Sequence, residues 1–137
     1  MRIDEDFDRD FEYEYVDAHP NGEFVVCYKP EGTLIEADLI WNLPAGEQYS
    51  RCGESATEGV LTRFFVGMLG LQGEAMAQKR LLWYGFSRGD RKGFGESMRR
   101  IRGWDFDRII PCHGDVVETG GKGVFERVME WHLKAEK

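Results

Sequence analysis

Histidine is scarce in this chain. There are three in 137 residues, His19, His113 and His132, and they stand far apart, so no local run of imidazoles offers a ready-made metal site. Cysteine is equally sparse: Cys27, Cys52 and Cys112 form no Cys-x-x-Cys pair, and an odd number cannot close a disulfide framework within one chain. Free thiols in a reducing compartment follow. No apolar run approaches the roughly 18–20 residues that cross a bilayer. The first residues, Met1-Arg2-Ile3-Asp4-Glu5-Asp6, are acidic where a signal peptide would be basic and then apolar. These absences point to a cytoplasmic protein with no membrane contact. An excess of basic charge is also missing: the formal net charge is −7, which argues against a nucleic-acid binder, whose affinity comes largely from neutralising phosphates.

Large apolar side chains are well supplied. Nine Phe, four Trp and five Tyr can fill the core of one domain, the number expected at this length. Charge is unevenly placed. Asp4 to Asp17 holds eight carboxylates and one basic residue, Arg9, whereas Lys79 to Arg102 holds eight basic residues against Asp90 and Glu96. The two blocks can meet within the fold or across a subunit boundary, or they can form two solvated faces.

Phe11-Glu12-Tyr13-Glu14-Tyr15-Val16 alternates aromatic and acidic residues at period two, which predicts a first strand with one wet face. Residues 23–28 and 33–41 are β-favouring runs joined by Lys29-Pro30-Glu31-Gly32, which predicts a hairpin. Residues 42–56 lose periodicity and read as a long loop. Ser55-x-x-Glu58 has capping-box spacing, and Val60, Leu61, Phe64, Phe65 and Met68 then recur at helical intervals. Further helices are expected from about Glu74 to Tyr84, with Met76, Leu81 and Leu82 inward; after Asp90, with Phe94, Met98 and Ile101 inward; and from Gly123 to about Lys134, with a short strand at Arg108–Pro111 between the last two. The expectation is an α/β (α+β) fold: a mixed sheet with a β-hairpin and about four helices, residues 11–137 forming one unit behind an acidic segment, 1–10.

Three places carry the chemistry. They are Ala18-His19-Pro20-Asn21-Gly22 in a turn, Glu36-Ala37-Asp38 at the end of a β-rich run, and Ile110-Pro111-Cys112-His113-Gly114-Asp115 after the late strand. In order and separation they resemble the second half of the metallo-β-lactamase superfamily, and the group of small uncharacterised metallo-β-lactamase-like proteins in particular, over about Phe11 to Trp131. The resemblance implies half of an αββα sandwich, with His19 on one metal, Asp38 bridging two and His113 on the other. Each residue also has an ordinary reading: a turn histidine, a hydrogen-bonded core carboxylate, and a knot in which Asp115 accepts backbone N–H groups and opens the last helical region. Two weaker signals accompany them. Thr119-Gly120-Gly121-Lys122-Gly123 opens a helix with a lysine beside it but lacks Walker spacing, and Cys112 next to His113 would need a turn to act as a nucleophile.

The superfamily's His-x-His-x-Asp-His motif has no counterpart here, and a zinc hydrolase normally holds its metal with three protein ligands. The reading favoured is therefore a metallo-β-lactamase-like homodimeric binding or assembly module without independent hydrolase activity. One divalent ion (Zn, Fe or Mn) on Asp38 with His19 or His113 remains an expectation. The alternatives are a metal-dependent hydrolase of an ester, lactone or phosphoester whose site a second chain completes, and a small-molecule or anion-binding protein using the basic stretch around Arg88 to Arg102, with Arg99, Arg100 and Lys122 as the candidate residues. A half-sandwich leaves one sheet face uncovered. Phe11, Tyr13 and Tyr15, with Val25, Tyr28, Leu34, Leu39 and Trp41, are the candidates for that face and for a homodimer contact.

Overall fold

The alternation of Phe11–Val16 forms strand β1, and the runs Glu23–Tyr28 and Thr33–Glu36 form β2 and β3. In the computed structural model, which describes residues 3–135, these join Arg108–Pro111 (β4) in one four-stranded sheet of order β1-β2-β3-β4. β1 and β3 both pair antiparallel with β2, and β4 pairs parallel with β3, so the sheet is mixed. The hairpin turns through a single 3-10 turn at Lys29–Glu31. It closes on Gly32 at φ 54°, a left-handed conformation that glycine adopts without steric cost.

Seven α-helices are present among the described residues: α1 (Glu5–Asp10), α2 (Gly46–Tyr49), α3 (Val60–Leu69), α4 (Met76–Arg80), α5 (Arg91–Arg102), α6 (Gly121–Val128) and α7 (Glu130–Lys134). The chain is thus α+β with a hairpin-bearing mixed sheet, as expected, but with more and shorter helices. The last helix breaks in two at Met129, whose φ −86° and ψ 4° leave the helical region. Ser55 does not cap a helix. Its hydroxyl takes the Thr57 amide, and α3 begins later, behind Gly59. Asp90 does cap α5, accepting the Gly93 amide at 2.8 Å. After α4 the helix widens into a π-helical turn, Leu81–Phe86, ended where the Ser87 amide reaches the Leu82 carbonyl at 2.8 Å.

The third strand stops at Glu36 rather than running to Trp41. Two carboxylates explain the stop. Glu23 accepts the amides of Ala37 (2.7 Å) and Asp38 (3.1 Å), and Glu36 accepts those of Leu39 (2.8 Å) and Ile40 (3.2 Å). Four successive N–H groups are thereby withdrawn from any ladder, and the chain turns inward, so that Leu39, Ile40 and Trp41 enter the core.

Burial divides the sheet into two unlike faces. Val16, Val25, Cys27, Leu34 and Ile109 point to the helices and meet Phe94, Met98 and Ile101 of α5, Phe125 and Val128 of α6, and Met129. The opposite face carries Phe11, Tyr13 and Tyr15 on β1, Phe24, Val26 and Tyr28 on β2, and Ile35 on β3; α1 lies against its corner, with Phe7 stacked on Phe11 and Asp8 accepting the Tyr13 hydroxyl at 2.9 Å. Of the residues expected on that face, Phe11, Tyr13, Tyr15 and Tyr28 are there. Val25, Leu34, Leu39 and Trp41 are in the core instead: the sheet register sends Val25 and Leu34 to the helical side, and the inward turn after Glu36 carries Leu39 and Trp41 there. Phe24 and Ile35, about 40 % exposed, take their place. Met76, expected inside, is also exposed, as are Val60, Leu61, Phe64 and Phe65 of α3, none of whose residues is buried.

The acidic and basic blocks touch at one point: Glu14 receives Arg100 and Ser97 of α5. Lys79, only 2 % exposed, is held by Glu130 at 2.6 Å. No helix among the described residues is long and apolar enough to cross a membrane.

His132 of α7 is enclosed between Phe94 and Trp83 and shares a 2.8 Å hydrogen bond with Ser87. Burial, with Arg91 nearby, lowers its pKa from 6.5 to about 4. The unfolded chain therefore binds a proton there that the native state refuses. The stability involved is complete above pH 6.5 and is lost as pH falls through about 4, by up to about 3 kcal/mol. His132→Phe, which keeps the ring, is expected to flatten the denaturation midpoint across that window in urea titrations; an unchanged acid limb would contradict the assignment.

Candidate functional site

The turn after β1, the loop after β3 and the loop after β4 all leave the same end of the sheet. Strand order makes this unavoidable: β3 and β4 run parallel, so their exits are neighbours, and β1 exits beside the start of β2. At that rim the His113 imidazole meets Asp38, Nε2 to Oδ1 at 3.2 Å, with both side chains partly open to solvent. The other oxygen, Oδ2, receives the Asn21 side-chain amide at 2.7 Å. The Asn21 backbone amide in turn donates to Nδ1 of His19 at 3.3 Å. Hydrogen bonds thus link His19, Asn21 and Asp38, and His113 closes on Asp38 at ion-pair distance, so the three residues singled out from sequence lie side by side at the rim.

They are not equivalent. His19 is 2 % exposed, edge-on to Phe86 with ring centroids 4.9 Å apart, and its Nε2 is enclosed without a partner among the described residues. Its position is that of a buried turn histidine whose accessible nitrogen already serves Asn21. Asn21 is the residue that sequence reasoning passed over. Its signal was its place after Pro20 in a turn, where an Asn side chain is free to reach out of the backbone.

The loop bearing His113 is held tightly. Asn42 donates to the His113 carbonyl at 3.1 Å, and Asp115 donates its amide to the Asn42 carbonyl at 2.9 Å. Gly114 lies between at φ 113°, where an added Cβ would fall 2.1 Å from the Asn42 oxygen, so only glycine fits. The Asp115 carboxylate accepts the amides of Gly46 (3.0 Å) and Glu47 (2.7 Å). The expected knot exists, but it fastens the start of α2 rather than the last helical region. Cys112 is exposed, with its amide on the Glu36 carbonyl at 3.0 Å.

Behind Asp38 stand the two buried carboxylates of the β3 exit. Burial drives the Glu36 pKa up to about 8; the amides of Leu39 and Ile40 counter this, and Glu23 and Asp38 add to it. Its Oε1 has no partner among the described residues.

As a metal site this donor set is short within one chain. Asp38 and His113 are the two donors that meet, His19 is committed elsewhere, and no group of three or more His, Cys, Asp or Glu among the described residues is placed to hold an ion. The anion candidates do not converge either. Arg100 is paired with Glu14, Lys122 donates to the carbonyls of Arg102 and Trp104, and Arg99 reaches the His132 carbonyl at 3.3 Å. An open cavity of about 670 Å³ flanks the His19 turn, between Asp17–Pro20 and Gly85–Asp90. A smaller recess of about 260 Å³ lies between His113 and the apolar side of α3, at Phe65 and Val66. Comparisons with protein-family models, curated proteins and solved structures gave no match to this chain.

Because the Glu36 carboxyl holds its proton more tightly folded than unfolded, its contribution is complete below pH 4.5 and is lost as pH rises through about 8. Glu36→Gln keeps an acceptor for Leu39 and Ile40 while removing the charge. The variant is expected to lose less stability than the parent between about pH 4.5 and 8, the window of that titration, measured by urea midpoints. Parallel pH profiles for the two proteins would refute this.

Proposed function

We propose that this chain is a metallo-β-lactamase-like half-sandwich that acts as a homodimeric assembly module, without a hydrolytic centre of its own. The supporting observation is the one-sidedness of the sheet: helices cover one face, and the other presents Phe11, Tyr13, Tyr15, Phe24, Val26, Tyr28 and Ile35. Apolar surface of this extent on a folded chain favours association.

A second copy suits the face better than a groove binder does. No charged side chain from β1, β2 or β3 points there, and the one on β4, Arg108, is paired with Glu118, so stacking two copies buries no unpaired charge even though each carries −7. β1 and β2 are six residues long and β3 and β4 four, so strands about 4.8 Å apart with a rise of about 3.3 Å per residue give a face of roughly 20 by 16 Å. Two such faces hide roughly 640 Å² as a flat projection, and the relief of the aromatic rings adds to it. Sheets stacked across a two-fold axis restore the ββ layer that the resemblance implies. The free cysteines agree with a cytoplasmic setting.

A second reading has its own observation. Asp38 and His113 meet at the rim, partly exposed, as two donors in search of a third. Donors from another chain would complete a Zn, Fe or Mn site able to activate water against an ester, lactone or phosphoester. Elemental analysis of chelator-free protein separates the readings: near-stoichiometric metal that disappears in Asp38→Ala and His113→Ala favours the hydrolase.

Light scattering on a sizing column at about 10 µM, above a micromolar Kd, is expected to give the mass of two chains. Phe24→Lys with Ile35→Lys is expected to give a folded monomer with unchanged circular dichroism. A stable wild-type monomer at this concentration would end the assembly reading.

A further inference from the structure

The exposed side of α5 carries a second feature that neither the sheet face nor the rim explains. Arg91, Lys92 and Arg99, with Gly95, His132 and Ala135, line a recess of about 200 Å³ between α5 and α7. Among the described residues no carboxylate lines it, and none of the three cations belongs to an ion pair. This is unusual in a chain of net charge −7. Asp90, the nearest acid along the helix, is committed to the Gly93 amide, and Glu96, four residues beyond Lys92, forms no ion pair with it.

The placement runs against the helix. Arg91 and Lys92 sit in the first turn of α5, where the macrodipole is already positive and a cation is disfavoured. Two of the three cations are nevertheless held in position. Arg91 donates from Nε to the Trp83 carbonyl at 3.1 Å with its guanidinium 5.0 Å over the Trp83 ring, and Arg99 donates from Nη1 to the His132 carbonyl at 3.3 Å. Gly95 keeps the floor open. A Cβ there would lie 3.2 Å from the His132 carbonyl and 3.4 Å from Arg99 Nη1, within the space between them.

We propose that this recess binds a phosphate dianion, free or as the monoester of a small alcohol. Two guanidinium forks and an ammonium supply donors from several directions, which suits a tetrahedral group with three charged oxygens better than a planar carboxylate. The recess lies within the basic stretch around Arg88 to Arg102 expected from sequence; of the residues singled out there Arg99 takes part, with Arg91 and Lys92, whereas Arg100 and Lys122 are spent elsewhere.

The test is a titration with inorganic phosphate at constant ionic strength, balanced with chloride, followed by amide NMR shifts and by calorimetry. Saturable binding is expected, with shifts centred on Gly93 and Gly95. Lys92→Gln, a change at an exposed side chain outside the core, is expected to weaken it about tenfold, the scale of one charge-assisted hydrogen bond, and Arg91→Gln similarly. Arg100→Gln, whose partner is Glu14, should leave affinity unchanged. Shifts that grow linearly without saturation, or equal affinity in Lys92→Gln and Arg91→Gln, would overturn the assignment. A parallel titration with glycerol phosphate assigns the ligand: comparable or tighter binding indicates a monoester, and much weaker binding indicates free phosphate.

Discussion

Four consecutive amides, Ala37 to Ile40, are taken by two buried carboxylates, Glu23 and Glu36, and most of what is distinctive in this fold follows from that capture. A strand that kept those amides in its ladder would have carried Asp38 along the sheet and left Leu39 and Trp41 together on the face of Ile35, away from the helices. Turned inward, the chain sends Leu39, Ile40 and Trp41 into the core and leaves Asp38 at the rim, facing His113. Burying carboxylates is expensive unless their oxygens are hydrogen-bonded. Glu23 uses both oxygens, whereas Glu36 uses one and keeps its proton to a higher pH. The rim geometry therefore rests on a polar cluster inside the protein rather than on the exposed pair itself.

The two faces of the sheet have separate roles under the proposed function. The helical face gives the chain its core, to which α5 and α6 contribute Phe94, Met98, Ile101, Phe125 and Val128. The other face contributes little to the single chain, and its aromatic rings are half-covered by one another and by Phe7. Stability and association are thus assigned to opposite sides of the same strands, which allows a change such as Phe24→Lys to disturb one without the other.

The rim and the basic recess of α5 are built differently. At the rim, polar groups bind one another along His19, Asn21 and Asp38, with His113 beside Asp38. In the recess three cations share no counter-charge among the described residues, which leaves their attraction for the proposed anion.

Much of this was legible in the residues. Period-two alternation marked β1, Pro and Gly marked the hairpin turn, Asp90 marked the start of α5, and the spacing of His19, Asp38 and His113 placed them at one end of a sheet. These signals are local, and local backbone preference is what a sequence encodes directly. Side-chain destination is not local. Whether Leu39 or Ile35 faces the helices, whether His19 opens to the rim or is shut against Phe86, and whether Arg100 is spare or spent on Glu14 depend on register and on residues scores of positions away. The sequence alone determined the four strands, their order and the longer helices, but not the short α1 and α2 or the end of β3. Tertiary packing decided which polar groups are consumed and which are left for a partner, because a hydrogen bond or a buried surface exists only once distant segments have been brought into contact.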